Sequence, residues 1–219
     1  VLRSKRLFRY YGPYETESKV EKFEKEFAKE TGTKYALAMN SCTNSLVTAL
    51  VAAGIQPGDE VIVPAYTFIA SASAIVAANA IPVITEVDDT LTLDPAEVEK
   101  NITSKTKAVM PVHMRGVPAQ MDEIMAIAKK HNLKVIEDVA QANGGSYKGR
   151  MLGSIGDAGC FSLQYHKVIT SGEGGVITTN DRDLYIRALS FHDTGANWRD
   201  NVDVDAVFPG FNFRMTEIQ

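Results

Sequence analysis

The sequence predicts an α/β fold with a largely parallel central sheet. Short apolar stretches of strand-like composition alternate, along most of the 219 residues, with segments that carry apolar residues at helical spacing. Small polar or charged residues directly follow several of the apolar stretches. Because ligands of parallel sheets bind beyond the carboxyl ends of the strands, this second pattern predicts a binding site at one edge of the sheet.

Composition narrows the class of protein. Hydrophobic residues make up 45% of the chain, which is enough for a sizeable core, and the net charge of −4 gives no indication of a nucleic-acid-binding surface. Cys42 and Cys160 form no CxxC motif, so reduced thiols are expected. No apolar run reaches membrane-spanning length, and no signal-peptide pattern opens the sequence. We therefore expect a cytoplasmic protein without membrane or nucleic-acid partners.

In the first part of the chain, helices and strands are predicted in strict alternation. The first helix has Val20, Phe23 and Phe27 at helical spacing and stops at Gly32, a residue suited to the left-handed conformation that ends many helices. The predicted helices are Ser18–Thr31, Leu46–Ala53 and Thr67–Ala78, and the predicted strands are Tyr35–Met39, Glu60–Val63 and Ile81–Val87.

The same alternation continues beyond residue 87. Asp94 is a helix cap, and Pro95 fits the first turn of the helix that follows. The predicted elements are the helices Ala96–Asn101 and Met121–Lys130, and the strands Ala108–Val112, Leu133–Ile136, Cys160–Leu163 and Val176–Thr179.

The loop between the last two strands contains a candidate nucleophile. Lys167 lies in GCFSLQYHKVITSGEGG, between two strand ends and close to glycines that let a ligand approach the backbone. A lysine amine in such a position suits covalent catalysis. The alternative is a surface lysine on a hairpin.

Two further features match that lysine. Small polar residues at Asn40–Ser45 open a predicted helix, where unpaired N–H groups and hydroxyls favour an anion. Asp138 follows a buried strand and needs a partner, because an unpaired buried charge is costly. A lysine, a buried aspartate and a phosphate cradle are the set that a pyridoxal phosphate site requires.

The sequence has no GxGxxG motif, and its four histidines show no metal-ligand spacing.

Several stretches carry a resemblance to one enzyme family. They are NSCTNSL at Asn40–Leu46, PAYTFIAS at Pro64–Ser71, PVHMRG at Pro111–Gly116, EDVAQ at Glu137–Gln141, Phe161–Gly175 and Asp181–His192. With these motifs, the chain resembles the DegT/DnrJ/EryC1/StrS family of pyridoxal-phosphate-dependent sugar aminotransferases. The resemblance implies the large domain of a fold-type I aminotransferase that forms a homodimer with shared active sites.

The resemblance also implies a role for individual residues. Lys167 carries the cofactor as a Schiff base and moves protons, Asp138 pairs with the pyridine nitrogen, and Gln141 contacts the 3′-oxygen. The residues implied to hold the phosphate or to stack on the ring are Ser162, Thr43, Asn44, Phe68 and, toward the neighbouring subunit, Asn212. The residues implied to contact the substrate are Tyr14 and His192.

The implied reaction transfers an amino group from glutamate or glutamine to a nucleotide-linked keto sugar, with pyridoxamine phosphate between the two half-reactions. The alternatives are a ketocyclitol acceptor of the scyllo-inosose type, a sugar dehydratase and a non-catalytic truncated relative. Relatives with histidine in place of the lysine are dehydratases. Here His166 and Lys167 are adjacent, and the family's lysine position, five residues after Ser162, falls on Lys167. This spacing favours transamination.

The resemblance also divides the chain. Residues 1–17 are expected to form an N-terminal arm, and residues 18–219 a cofactor-binding large domain. The smaller C-terminal domain of the family is expected to be missing from this sequence.

Overall fold

A seven-stranded sheet lies between two layers of helices in the computed structural model, which describes residues 1–10, 17–195 and 207–219. The helices of the described residues are α1 Lys19–Thr31, α2 Cys42–Ala52, α3 Ala70–Ala77, α4 Pro95–Lys100, α5 Met121–His131 and α6 Arg182–His192. The strands are β1 Tyr35–Met39, β2 Glu60–Pro64, β3 Ile81–Thr85, β4 Thr106–Val109, β5 Lys134–Asp138, β6 Ser146–Tyr147, β7 Arg150–Met151, β8 Ala158–Ser162 and β9 Gly175–Thr179.

The strand order of the main sheet is β1-β9-β8-β5-β4-β2-β3. Strands β8, β5, β4, β2 and β3 pair in parallel, whereas β9 runs antiparallel to both of its neighbours, β1 and β8. The prediction of a largely parallel sheet is therefore confirmed. Because β9 alone is reversed, the loop between β8 and β9 turns back at the edge where the parallel strands end.

Each face of the sheet is covered by its own set of helices. On one face, α2, α3 and α6 pack on residues such as Ile136 and Cys160. On the other face, α1, α4 and α5 pack on residues such as Val135 and Phe161. This arrangement buries both faces, as parallel sheets require. None of the helices in the described part of the chain is long and apolar enough to span a membrane.

Most predicted elements are present, with shifted bounds. The left-handed stop of α1 at Gly32 and the Asp94 cap of α4 are confirmed, and the structure shows that Ser18 caps α1. Helix α2 begins at Cys42 instead of Leu46, because the Ser41 hydroxyl caps the earlier turn. Helix α3 begins only at Ala70, because residues 65–69 form the loop after β2. The pattern analysis predicted neither α6 nor the two-residue strands β6 and β7.

Residues 1–10 are attached to the body of the protein by a buried arginine. Arg9 is 2% exposed, and its Nη2 lies 2.5 Å from Glu24 Oε1 on α1. Its Nη1 donates to the carbonyl of Ala38 at 3.0 Å and lies 3.2 Å from His192 Nε2. Glu24 Oε1 also accepts from the Ala38 N–H at 2.7 Å. One guanidinium thus links the N-terminal segment to α1, β1 and α6.

We expect Arg9→Ala to lower the free energy of unfolding by about 3 kcal/mol, because it leaves the buried Glu24 carboxylate without its cation. Urea unfolding followed by circular dichroism measures this loss. Lys25→Ala is the matched control, since Lys25 pairs with Glu17 and Glu21 on the surface and should change stability little. Equal stability of the Arg9→Ala variant and the unmutated chain would contradict the prediction.

Candidate active site

The predicted site residues converge on one edge of the sheet. The parallel strands β1, β2, β4, β5 and β8 all end at this edge, and β9 begins there. The connections that leave the strands here contain Asn44, Phe68, His113, Gln141 and Lys167. The expectation of a site at the carboxyl ends of the strands therefore matches the placement of these residues.

Asp138 is the last residue of β5 and is only 5% exposed. Its Oδ2 accepts a hydrogen bond from Ser71 Oγ at 2.7 Å, and its Oδ1 accepts one from the Ala140 N–H at 3.0 Å. Burial raises the pKa of Asp138, whereas these two hydrogen bonds and the charge of Lys167 oppose the rise. The carboxyl group is thus held in one orientation, and each oxygen keeps a lone pair for another donor.

Lys167 presents a free amine close to that carboxylate. Its backbone N–H donates to the Gln164 carbonyl at 2.9 Å, which shapes the turn after β8. Its ammonium has no hydrogen-bond or ion-pair partner among the residues that the structure describes. Its charge opposes the rise that burial causes in the pKa of Asp138 and of the Cys42 thiol.

The start of α2 has the donors that the predicted anion site needs. The Ser41 hydroxyl caps the helix by accepting from the Asn44 N–H at 3.2 Å, and the Asn44 side chain donates to Asn40 Oδ1 at 2.8 Å. Thr43, in the first turn, is exposed. Its hydroxyl and the N–H groups of the first turn are donors suited to a phosphate.

Gly175 brings Ser162 next to this helix start. Ser162 ends β8 and pairs with Gly175, the first residue of β9. A Cβ atom on Gly175 would lie 2.5 Å from the carbonyl carbon of Ser41 and 2.6 Å from the Cys42 nitrogen. Only glycine allows the two backbones to approach this closely. The hydroxyl of Ser162 therefore adjoins the N-terminus of α2.

Gln141 and Phe68 border the same region. Gln141 Oε1 accepts from the Arg115 N–H at 3.1 Å, so the side-chain amide is fixed with its NH2 group directed away from that contact. Phe68 is 65% exposed in the loop after β2, although large aromatic side chains are usually buried. An exposed ring beside a polar cluster is suited to stacking on a flat ligand.

The carboxylate of Glu137, next to Asp138 on β5, points to the opposite face of the sheet. Glu137 is fully buried, and its oxygens accept from the backbone N–H groups of Gly153, Ile155 and Gly156 at 2.7–2.9 Å. His113 Nε2 lies 3.0 Å from Glu137 Oε2, while its Nδ1 accepts from the Ala119 N–H at 3.1 Å. The imidazole is therefore neutral, with its proton on Nε2. Glu137 thus anchors residues 153–156, a glycine-rich segment, against β5.

The remaining predicted residues are placed differently. Asn212 is exposed in an extended segment that pairs with Asp193 at the end of α6. Tyr14 lies outside the described residues. His192 is fully buried, with Nδ1 2.6 Å from the Leu189 carbonyl and Nε2 facing Arg9. This ring lies inside the protein, between α6 and the N-terminal segment, and its contact with the substrate stays a prediction.

Sequence reasoning missed two hydroxyls of the site. Ser71 and Thr67 were assigned only to a helix, yet Ser71 bonds to Asp138 and Thr67 bonds to Ser71. Their spacing of four residues, one helical turn, was a signal that they lie on one face.

Cys42 and Cys160 are free thiols, and burial raises the pKa of both, which keeps them protonated. No cluster that could hold a metal ion occurs within the described ranges.

The fold is that of the large domain of pyridoxal-phosphate enzymes of fold type I, and Lys167, the buried Asp138 and the start of α2 lie at the same edge of its sheet. The particular family follows from comparison, because the model of the DegT/DnrJ/EryC1/StrS aminotransferase family matches residues 10–219. The chain belongs to this family. Enzymes of this family depend on pyridoxal phosphate.

Three relatives illustrate the match. GDP-perosamine synthase of Caulobacter vibrioides is 48% identical over 198 residues, which are 90% of this chain and 53% of that protein. L-glutamine:2-deoxy-scyllo-inosose aminotransferase of Streptoalloteichus tenebrarius is 47% identical over 84% of this chain and 44% of its own length. The aminotransferase structure from Psychrobacter cryohalolentis has a TM-score of 0.89 at 41% identity, covering 99% of this chain and 56% of that one. The chain spans about half the length of these relatives.

We expect Glu137→Gln to lower the free energy of unfolding by about 3 kcal/mol. Glutamine has a single acceptor oxygen, and its NH2 group would face N–H donors, so buried donors lose their partner. Chemical denaturation measures the loss, with Glu123→Gln on the exposed side of α5 as the control. A Glu137→Gln variant as stable as the control would show that the buried carboxylate does not hold residues 153–156.

Proposed function

We propose that this chain is the cofactor-binding part of an aminotransferase that depends on pyridoxal phosphate and acts on a keto sugar. The observation that carries the proposal is the Lys167 amine, which has no partner among the described residues, at the same edge of the sheet as the buried carboxylate of Asp138. Family membership supports it independently. Within the chain, we assign residues 18–219 to the large domain and residues 1–17 to an arm.

The residues present fit the cofactor on the chemistry of their donors. Asp138 has a buried acceptor for a protonated ring nitrogen, and the NH2 group of Gln141 is a donor for the 3′-oxygen. Phe68 offers an exposed face for stacking. The hydroxyl of Ser162, together with Thr43 and Asn44 at the start of α2, supplies donors for the phosphate. Gly175 keeps the two halves of this cradle in contact.

When bound, pyridoxal phosphate supplies an electron sink that stabilises negative charge on the substrate carbon. Lys167 Nζ would provide the covalent attachment point and would then move a proton, first as a base and then as an acid. Asp138 would hold a proton on the ring nitrogen through its charge. The same lysine would serve both half-reactions.

We further propose glutamate or glutamine as the amino donor and a nucleotide-linked keto sugar as the acceptor. The names of several relatives support this choice, since they include GDP-perosamine synthases of two organisms. A ketocyclitol is the second candidate acceptor, because the relative that aminates 2-deoxy-scyllo-inosose is nearly as similar, at 47% against 48% identity.

We propose that the enzyme works as a homodimer in the cytoplasm. Large apolar side chains are exposed in the loops that surround the site, including Phe68, Tyr165 and Val168, which are 65%, 71% and 76% exposed. Exposed large apolar side chains of this kind favour association. The exposed Asn212 is then assigned to the phosphate of the neighbouring subunit, and Tyr14 to the substrate. The two free cysteines fit a reducing compartment.

The first test of the proposal is the absorption spectrum of the chain with pyridoxal phosphate. We expect a visible band, and borohydride treatment followed by peptide mass spectrometry should find the cofactor on Lys167. Lys167→Ala should lose the band and keep its circular dichroism spectrum, because this lysine makes no side-chain bond in the described structure. The exposed Lys105→Ala variant is the control. A label on another lysine would contradict the assignment.

A second test separates the roles of the two charged groups. Asp138→Asn should still bind pyridoxal phosphate, but the first half-reaction with glutamate or glutamine should slow by roughly 10³-fold or more, because the ring nitrogen loses its anionic partner. Stopped-flow absorbance follows that half-reaction, and release of the keto acid distinguishes transamination from dehydration. A fully active Asp138→Asn variant would rule out the proposed role of the carboxylate.

A further inference from the structure

Two hydroxyl groups connect Asp138 to the loop that follows β2. Ser71 Oγ lies 2.7 Å from Asp138 Oδ2, and Thr67 Oγ1 lies 2.8 Å from Ser71 Oγ. Ser71 is fully buried, so water cannot replace either bond. The three side chains form a continuous hydrogen-bonded relay that runs from the end of β5 into the loop at residues 65–69.

Counting the hydrogens fixes the direction of this relay. An ionised carboxylate only accepts, so the single hydrogen of the Ser71 hydroxyl points to Asp138. The hydrogen between the two hydroxyls must then come from Thr67. The chain of donors therefore runs from Thr67 to Ser71 to Asp138, and the charge of Asp138 fixes this polarity.

The same two residues also fix the loop that contains Phe68. Thr67 precedes Phe68, and the N–H of Ser71 donates to the Phe68 carbonyl at 3.1 Å. The exposed aromatic ring therefore stands on a short segment that is bonded to Ser71 from both sides. Any rotation of the loop about Phe68 has to break the bond to Ser71 or displace the hydroxyl that holds Asp138.

We infer that Ser71 and Thr67 are positioning residues, which orient the Asp138 carboxylate and the Phe68 ring together toward one flat ligand. This inference rests on the proposed function, since it assumes that Asp138 meets the edge of a ring and Phe68 its face. Neither hydroxyl needs to touch the ligand. Because the two hydroxyls connect both residues, the contact of Asp138 with the edge of the ring and the contact of Phe68 with its face would form in a fixed geometry relative to each other.

The other titratable groups around Asp138 make no hydrogen bond to its carboxylate in the described residues. The charge of Lys167 acts on Asp138 from a distance, and neither Lys167 nor His113 forms a hydrogen bond to it in the described residues. His113 is neutral because its Nδ1 accepts from Ala119. Cys42 and Cys160 are neighbours whose raised pKa keeps them as uncharged thiols. Ser71 is thus the one side chain of the described structure with a hydrogen bond to the carboxylate.

Substitutions at Thr67 separate the hydroxyl from the shape of the side chain. Thr67→Val removes the donor and keeps the volume, whereas Thr67→Ser keeps the donor and removes the methyl group. Ser71→Ala removes the bond to Asp138 itself. Ser190→Ala is the matched control, because Ser190 is another buried serine, whose hydroxyl bonds to the Phe208 carbonyl at 2.9 Å.

Two measurements on the 219-residue chain test the inference. Carboxyl carbon NMR without cofactor should show that Ser71→Ala raises the pKa of Asp138, and that Thr67→Val raises it by less. Titration with pyridoxal phosphate should show about tenfold weaker binding for Ser71→Ala, the size expected for losing one hydrogen bond to a charged group. Thr67→Ser and Ser190→Ala should behave like the unmutated chain in both measurements.

Specific results would overturn the inference. One is an unchanged titration of Asp138 in Ser71→Ala, and another is a Thr67→Ser variant as impaired as Thr67→Val, which would assign the effect to packing. If Ser71→Ala does not fold, Thr67→Val decides alone. If the unmutated chain fails to bind pyridoxal phosphate, the proposed function fails, whereas the NMR titration still decides whether the relay holds Asp138.

Discussion

The burial of two adjacent carboxylates at the end of β5 is the constraint on which the site depends. Glu137 and Asp138 point to opposite faces of the sheet because side chains alternate along a strand. Each buried charge needs its own donors. Glu137 obtains them from three backbone N–H groups and His113, and Asp138 obtains them from Ser71 and Ala140. Satisfying these two charges brings together loops from four parts of the chain.

This division gives the two faces different tasks. The Glu137 face is closed, because every donor comes from the protein and the group is fully buried. On the Asp138 face, the carboxylate oxygens keep lone pairs for a ligand. The Lys167 amine has no partner among the described residues, and the start of α2 has donors suited to an anion. Glu137 therefore stabilises the fold on one face of β5, whereas the groups on the other face remain able to bind a ligand.

The alternation of patterns predicted the α/β class, and Lys167, Asp138 and the start of α2 were identified from residue types at strand ends. These features are local, so the sequence contains them directly. The bonds of Ser71 and Glu137 join residues 67 and at least 16 positions apart, and no local pattern encodes such pairing. The burial of His192 was not predicted for the same reason: its partner Arg9 lies 183 residues away. The roles of Gln141 and Phe68 came from resemblance alone, since neither shows its chemistry in isolation.

The reversed strand β9 has a consequence for how the protein is made. It inserts between β8 and β1, so the first strand of the sheet joins the others only through the last one. The anion cradle follows β1, whereas Lys167 and Gly175 come more than a hundred residues later in synthesis. The two halves of the site therefore meet only after the ribosome has passed β9, and pairing at such long sequence separation is slow. The cofactor site therefore forms late in the folding of each new chain. Only molecules in which β9 has joined β1 to β8 have both halves of the site.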